Sequence, residues 1–275
     1  MPDPAFKTRV VTGLVMGGVV IGLILGGMTT ASLLVLIICV FSARELYTML
    51  VSPTAGLPSW GFAIMIGLPV ILNFFYPIAP GSFGGMGIFW DWIAVVSIPL
   101  ILGLYLLFSI TQSPVVFYKR LKCAAIGFVL ITVPGLFAIQ LIALTPLFLL
   151  GIFVLLWSSD VFAYLIGTRW GRNKLAPKLS PGKTWEGTIG AGIVTVLVGL
   201  ALSQWIDVFG WRDWMINALL VVIFGTLGDL QQSAIKRVAK VKDSGTLLPG
   251  HGGFLDRFDS FLGCLPWIGV YNLMI

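Results

Sequence analysis

Charge, histidine and cysteine are scarce in this sequence. Only 10% of its 275 residues are charged, and it contains one histidine and three cysteines. A single histidine argues against a histidine-rich zinc site. Cys39, Cys123 and Cys264 each stand alone within an apolar run. Their spacing therefore indicates small core residues rather than a disulfide framework or a metal site.

Hydrophobic residues, in contrast, make up 58% of the chain. Apolar runs of roughly 20 residues recur along its length, and each is long enough to cross a hydrocarbon core of ~30 Å. Long continuous runs argue against a β-barrel. We predict an all-α polytopic membrane protein whose first apolar run is a retained helix rather than a cleaved signal peptide. The nine predicted segments are 10–28, 30–50, 60–76, 88–111, 122–143, 146–167, 187–204, 214–235 and 256–275.

The distribution of lysine and arginine predicts an orientation. With nine segments and a cytoplasmic N-terminus, Arg212 stands alone on one side and every other Lys and Arg lies on the other. The positive-inside rule therefore favours a cytoplasmic N-terminus, an external C-terminus and cytoplasmic loops at 168–186 and 236–255. The net charge of +6 is then explained by orientation and anionic lipid, without a nucleic acid partner. We expect about five N-terminal helices in 1–150 and a catalytic region in 151–275.

Charged residues cluster from the end of the eighth segment onward. Asp229, Ser233 and Arg237 are spaced by four residues, so they share one broad helix face with Gln232 and Lys236. A carboxylate at this depth needs a partner or a cation. Two interpretations remain open: a structural ion pair of Asp229 with a lysine or arginine, or a metal ligand facing a cavity.

A second pair of carboxylates begins the ninth segment. Asp256 and Asp259 are three residues apart and flank Arg257. Oxygen ligands without cysteine or histidine are typical of magnesium, which keeps waters and binds substrate phosphates. Helix N-terminal capping is an alternative explanation for one of the two carboxylates.

The loop 249–253 (Pro-Gly-His-Gly-Gly) precedes that segment. Gly252 and Gly253 permit close approach of the backbone to an anion, and a helix N-terminus offers free N–H groups. We interpret the loop as a phosphate cradle shared with nearby charged residues, namely Lys236, Arg237, Lys242 and Asp243. His251 either contacts phosphate or braces the loop.

The other polar loop, 167–187, contains five basic residues. Arg169 and Lys174 are explained by the positive-inside rule. Lys183, Thr184 and Glu186 are packed into a tight turn before a membrane helix, where Lys183 provides a point charge for phosphate. The spacing is not that of a P-loop. Asp160 lies inside the sixth segment and is expected to face the same polar cavity.

The stretch from Ser233 to Asp259 resembles the signature of the phosphatidate cytidylyltransferases, the CDP-diacylglycerol synthases. That signature is S-x-hydrophobic-K-R, four residues, K-D-x-small, two residues, hydrophobic-P-x-H-G-G-hydrophobic-x-D-R-hydrophobic-D, and every position matches. Residues 159–164, 173–177 and 180–187 also resemble the family, so the resemblance spans about 157–266. One position departs from it, because Gln232 replaces the usual Glu.

The resemblance implies that CTP and phosphatidic acid react to CDP-diacylglycerol and pyrophosphate. It implies Mg²⁺, with a monovalent cation such as K⁺ as its partner, and a homodimer. Nine helices with almost no soluble extension are typical of a bacterial inner membrane protein, and the basic loops place the active site on the cytoplasmic side. The implied catalytic residues are Asp229, Asp256, Lys236, Arg237, Lys242, Asp243 and His251. The implied substrate-binding residues are Lys183, Thr184, Ser233, Gly252, Gly253, Arg257 and Asp160. The implied metal ligands are Asp229, Asp256 and Asp259.

Other functions are compatible with parts of the pattern. A polyprenol kinase or a synthase for archaeal-type lipid also uses CTP, but the full signature argues against both. A transporter usually shows matched polar interruptions in two halves, whereas the polar residues here lie in the second half. An inactive paralogue that only binds lipid or nucleotide would be consistent with Gln232.

Overall fold

The computed structural model describes residues 4–51, 59–75, 114–248 and 252–275, and these are mostly helical. In chain order the α-helices are α1 (Pro4–Leu25), α2 (Met28–Leu50), α3 (Ser59–Phe75), α4 (Pro114–Gly127), α5 (Val133–Leu144), α6 (Pro146–Trp170), α7 (Trp185–Leu202), α8 (Trp211–Val238) and α9 (Leu255–Leu273). A π-helical turn, Phe128–Thr132, joins α4 to α5. Strands β1 (Lys174–Ala176) and β2 (Ser180–Thr184) form an antiparallel hairpin between α6 and α7.

Five helical segments in the described part of the chain are long and apolar enough to cross a membrane. They are Met28–Leu50, Pro114–Leu144, Pro146–Trp170, Trp185–Leu202 and Trp211–Val238. The prediction of a polytopic helical membrane protein is confirmed at this level. A helix also lies at each of the other predicted segments except 88–111, which falls outside the described residues. The count of nine and the orientation of the termini stay predictions.

Helix α7 illustrates how these helices pack. Its buried face carries small residues at every fourth position: Gly187, Ala191, Thr195 and Gly199. Its exposed face carries large apolar residues at the same spacing: Ile189, Ile193 and Leu197. Small residues let helix backbones approach closely, while large apolar residues suit contact with lipid. This distribution is typical of a helix surrounded by lipid rather than water.

Contacts along the described chain define two compact units. The first comprises residues of 1–143 together with 243–257, and the second comprises 144–242 together with 258–275. Within the first unit, the Thr132 hydroxyl donates to the Ile66 carbonyl over 2.8 Å, and the Tyr47 and Phe62 rings pack 5.0 Å apart.

The three cysteines are free and buried, as their spacing predicted. Close packing surrounds one of them, because a Cβ atom on Gly135 would lie 2.6 Å from the Cys39 sulfur.

In the second unit, α8 and α9 run antiparallel and are joined at successive levels. The contacting pairs are Asp213 with Tyr271, Asn217 with Asn272, Phe224 with Trp267, and Gly228 with Gly263. The Asn217 and Asn272 amides exchange two hydrogen bonds, of 3.0 and 2.7 Å. Because both amides are buried, these bonds satisfy groups that would otherwise be costly within a membrane protein. The pairs fix the register of the two helices.

Candidate active site

An ion pair lies at the polar end of the second unit. The Lys183 Nζ atom is 2.6 Å from Asp229 Oδ2, and both side chains are about one quarter exposed. The sequence suggested a phosphate-binding role for Lys183. For Asp229 it left two interpretations open, a structural ion pair with a lysine or arginine and a metal ligand. The structure brings these two residues together across 46 positions of sequence. Both side chains keep part of their surface accessible, so a ligand can reach either of them.

The β1–β2 hairpin positions Lys183. The Glu186 carboxylate accepts the Arg172 and Asn173 backbone N–H groups over 3.1 Å, and Asn173 Nδ2 over 2.7 Å. Thr184 is the N-cap of α7, because its hydroxyl oxygen accepts the Gly187 N–H. The prediction of a tight turn at Lys183, Thr184 and Glu186 is wrong, because the first two lie in β2 and Glu186 lies in the first turn of α7. The hairpin is attached at both ends to the start of this helix. Thr184 is buried in this capping position, and its predicted contact with substrate stays a prediction.

Asp259 lies against α8 beside Asp229. A Cβ atom on Gly228 would lie 2.8 Å from the Asp259 carbonyl oxygen and 2.8 Å from the Gly263 Cα. This close crossing of α8 and α9 places the Asp259 carboxylate near enough to Asp229 for the two charges to repel, while Lys183 and Lys236 offset them. Asp259 is 8% exposed, and its Oδ1 accepts the Ser260 N–H over 2.7 Å.

Two further polar side chains follow Asp229 on α8. The Ser233 hydroxyl donates to Asp229 Oδ1 over a long 3.4 Å. Gln232 is 4% exposed, and its Oε1 atom has no hydrogen-bond partner among the described residues. A buried carbonyl oxygen without a donor is costly, so Gln232 Oε1 is available to a ligand.

Carboxylate and amide oxygens are the type of ligand that magnesium prefers. Within the part of the chain that the structure describes, no three His, Cys, Asp or Glu side chains are grouped to hold a metal ion. Mg²⁺ usually binds through one or two carboxylates together with waters and substrate phosphates. Asp229 and Asp259 could supply the carboxylates, and Gln232 Oε1 is a further hard oxygen.

Asp243 and Asp256 lie in the first unit, around Gly252. Asp256 Oδ2 accepts the Ser244 N–H over 2.8 Å and the Gly253 N–H over 3.1 Å. A Cβ atom on Gly252 would lie 3.4 Å from Asp243 Cγ and 3.4 Å from Asp256 Oδ2. Gly252 also has φ +83°, a conformation that favours glycine. Asp243 and Asp256 therefore flank a position whose backbone conformation favours glycine.

Sequence reasoning missed Glu45. It lies in the apolar helix α2 and is 3% exposed, yet its carboxylate accepts the Phe254 and Leu255 N–H groups over 2.8 and 2.9 Å. The N–H groups expected to be free at the start of α9 are thus occupied at these two positions. A signal was present, since a carboxylate within a membrane segment is by default a functional candidate.

The other predicted residues occupy varied positions. Arg237 is exposed and donates from Nη1 to the Val241 carbonyl over 3.4 Å, near the end of α8. Lys242, Arg257 and Asp160 are also exposed, Asp160 on helix α6. His251 lies outside the described residues. The roles that the resemblance implied for these five residues stay predictions.

Comparison with known proteins identifies the family. The sequence matches the cytidylyltransferase family over residues 7–274. The chain belongs to this family. Over 125 residues it is 45% identical to a phosphatidate cytidylyltransferase of Staphylococcus aureus (strain COL), a match that covers 45% of this chain and 48% of that protein.

Two further relatives of this chain are also named phosphatidate cytidylyltransferase. The Staphylococcus saprophyticus protein is 42% identical over 130 residues, which is 46% of this chain and 50% of the relative. The Staphylococcus haemolyticus protein is 43% identical over 125 residues, which is 45% of this chain and 48% of the relative. The chain spans about half the length of the curated relatives it matches. The predicted resemblance to phosphatidate cytidylyltransferases is confirmed.

Proposed function

We propose that this protein transfers CMP from CTP to phosphatidic acid, giving CDP-diacylglycerol and pyrophosphate. The names of the relatives support this activity. The observation that carries it is the Lys183–Asp229 ion pair beside the buried carboxylate of Asp259. A reaction between two polyanions needs cationic groups that can turn toward phosphate and carboxylates that can hold a cation. Both kinds of group lie together here.

The reaction makes and breaks one bond at the same phosphorus atom. A phosphate oxygen of the lipid attacks the α-phosphorus of CTP and forms the new P–O bond. The bond from that phosphorus to the oxygen bridging the β-phosphorus breaks, and pyrophosphate leaves with the electron pair. Such a transfer depends on positioning and charge neutralisation. The lipid phosphate is already anionic, so no general base is required.

Lys183 has the most direct role in this proposal. It leaves Asp229 and neutralises a phosphate oxygen, while Asp229 becomes available to a cation. The half-buried Lys236, two turns further along α8, adds a second positive charge.

Magnesium is part of the proposal. Asp229 and Asp259 would hold the ion, and when bound it would neutralise charge on the triphosphate and on the departing pyrophosphate. A monovalent cation such as K⁺ is proposed as its partner. We also propose a homodimer in a bacterial inner membrane, with loops 168–186 and 236–255 facing the cytoplasm.

The test is product formation by purified protein in mixed micelles. We expect CDP-diacylglycerol and pyrophosphate in equal amounts when CTP, phosphatidic acid and Mg²⁺ are all present. Omitting the lipid or chelating Mg²⁺ should abolish both products, and Asp229→Asn should lower the rate by about 100-fold. The control is a thermal unfolding transition, which shows that the purified protein is folded. If such protein releases no pyrophosphate in response to lipid, the proposed activity is refuted.

A further inference from the structure

Glu45 makes an unusual set of contacts within the first unit. Besides the Phe254 and Leu255 N–H groups, its carboxylate accepts the Ser244 hydroxyl over 2.6 Å. The acceptor and its donors are separated by 199 to 210 residues. One buried carboxylate therefore binds both ends of the segment 244–255.

The contacts with Phe254 and Leu255 cap helix α9. The first N–H groups of a helix have no partner within the helix, and a residue at the helix start usually accepts them. Here the acceptor comes from α2. Its negative charge also lies at the positive end of the helix dipole, where it is stabilising.

Two glycines make room for this carboxylate. A Cβ atom on Gly245 would lie 2.6 Å from Glu45 Oε1, and a Cβ atom on Gly253 would lie 2.6 Å from Oε2. Gly253 belongs to the Gly-Gly pair that the sequence suggested for contact with phosphate. Its lack of a side chain is explained by the proximity of Glu45.

A second carboxylate, that of Asp256, binds the same part of the chain. Asp256 accepts the N–H groups of Ser244 and Gly253, so Ser244 is bound through its hydroxyl by Glu45 and through its N–H by Asp256. Any shift of Ser244 away from Glu45 would disturb the hydrogen bond that orients Asp256. Asp243, adjacent to Ser244 in sequence, would shift with it.

We infer that Glu45 is a positioning residue for the cytidylyltransferase reaction. It holds Ser244, Phe254 and Leu255 in place and thereby orients Asp243 and Asp256, without itself contacting substrate. This inference rests on the proposed function, because its main readout is the rate of CDP-diacylglycerol synthesis.

The test compares Glu45→Gln with Ser244→Ala and with the double variant. Glutamine keeps the shape of the side chain but loses the charge and one acceptor oxygen. We expect kcat to fall about 10- to 100-fold while KM for CTP stays within about twofold. Because both residues act through one contact, the double variant should lose less than the product of the two single effects.

Asp213→Asn is the matched control. Asp213 also caps a helix, accepting the Gly210 N–H over 3.0 Å and the Tyr271 hydroxyl over 2.7 Å. It lies 16 positions from Asp229 on α8, about 24 Å away at 1.5 Å per residue. Asp213→Asn should lower the melting temperature but leave kcat within about twofold.

Hydrogen exchange gives a readout independent of activity. Glu45→Gln should accelerate exchange of the Phe254 and Leu255 amides, and Asp213→Asn should not. Wild-type kcat and unchanged exchange in Glu45→Gln would refute the positioning role alone. If kcat falls equally in Glu45→Gln and Asp213→Asn, Glu45 is only a structural cap. A wild-type protein that makes no CDP-diacylglycerol would instead refute the proposed function.

Discussion

Lys183 and Asp229 form an ion pair, in which their charges offset each other. Removing the lysine leaves the negative charges of Asp229 and the nearby Asp259 less well compensated. It also removes a cation from the proposed phosphate site. We predict that Lys183→Met lowers kcat for CDP-diacylglycerol synthesis by about 100-fold, which is typical for loss of one charge-stabilising group. Lys183→Arg should retain part of the activity, because it keeps the charge but not the geometry of an ammonium group.

Lys178→Met provides the control for this prediction, since Lys178 is an exposed lysine of the same hairpin region. Its rate should match the wild type within about twofold. Equal losses in Lys178→Met and Lys183→Met would indicate a general effect of basic charge at the membrane surface, and the specific role of Lys183 would be wrong.

At the residue scale, the sequence identified which residues belong to the candidate site better than it identified which residues contact each other. Lys183 and Asp229 were both singled out by their unusual positions, but their pairing required the hairpin to fold back onto α8. Glu45 was missed because its partners lie 199 or more residues away, and no local periodicity links such distant positions. Long-range side-chain contacts of this kind depend on how the helices pack.

At the scale of elements, the crossing of α8 and α9 at Gly228 and Gly263 determines the distance between the Asp229 and Asp259 carboxylates. We predict that Gly228→Ala forces these helices apart, because its Cβ atom would lie 2.8 Å from backbone atoms of α9. The overpacking should cost about 1–3 kcal/mol. Activity should fall as well, in an assay on protein that is still folded.

Gly22→Ala is the matched substitution. Gly22 lies within helix α1, and a Cβ atom there would meet nothing within 4 Å. Since alanine is the better helix former by about 1 kcal/mol, Gly22→Ala should leave melting temperature and activity unchanged or slightly raised. A Gly228→Ala protein that behaves like Gly22→Ala would contradict the role of the crossing.

The elements themselves were largely predictable, since apolar runs of membrane length have few alternatives to a helix. The hairpin 174–184 was not predicted. Its sequence is polar and rich in proline and glycine, without the alternation that indicates strands. Two hydrogen bonds hold its ends at the start of α7: the Asn173 N–H donates to Glu186, and the Gly187 N–H donates to the Thr184 hydroxyl oxygen.

At the scale of the whole molecule, the predicted orientation places the two ends of α7 on opposite sides of the membrane. Helix α7 has 18 residues, or about 27 Å at 1.5 Å per residue, close to the thickness of a hydrocarbon core. We predict that a cysteine at Lys178 is labelled by a membrane-impermeant thiol reagent only after the cells are opened. A cysteine at Asp207 should be labelled in intact cells, or in intact spheroplasts if an outer membrane is present.

The three native cysteines favour this experiment, because they are buried and should react slowly. The unmodified protein measures any background labelling. The reverse pattern, with Lys178→Cys labelled from outside, would overturn the predicted orientation and move the proposed site to the external face.

The contact of Glu45 with Ser244 also has a consequence for biogenesis. During synthesis, α2 leaves the ribosome 199 residues before its partner exists. At 5–20 residues per second, the interval is about 10–40 s. Throughout that time a carboxylate within an apolar helix lacks the three donors it has in the finished protein. It must be kept near the membrane surface or sheltered by the insertion machinery. Its contacts with Ser244, Phe254 and Leu255 cannot form until α9 has been synthesised.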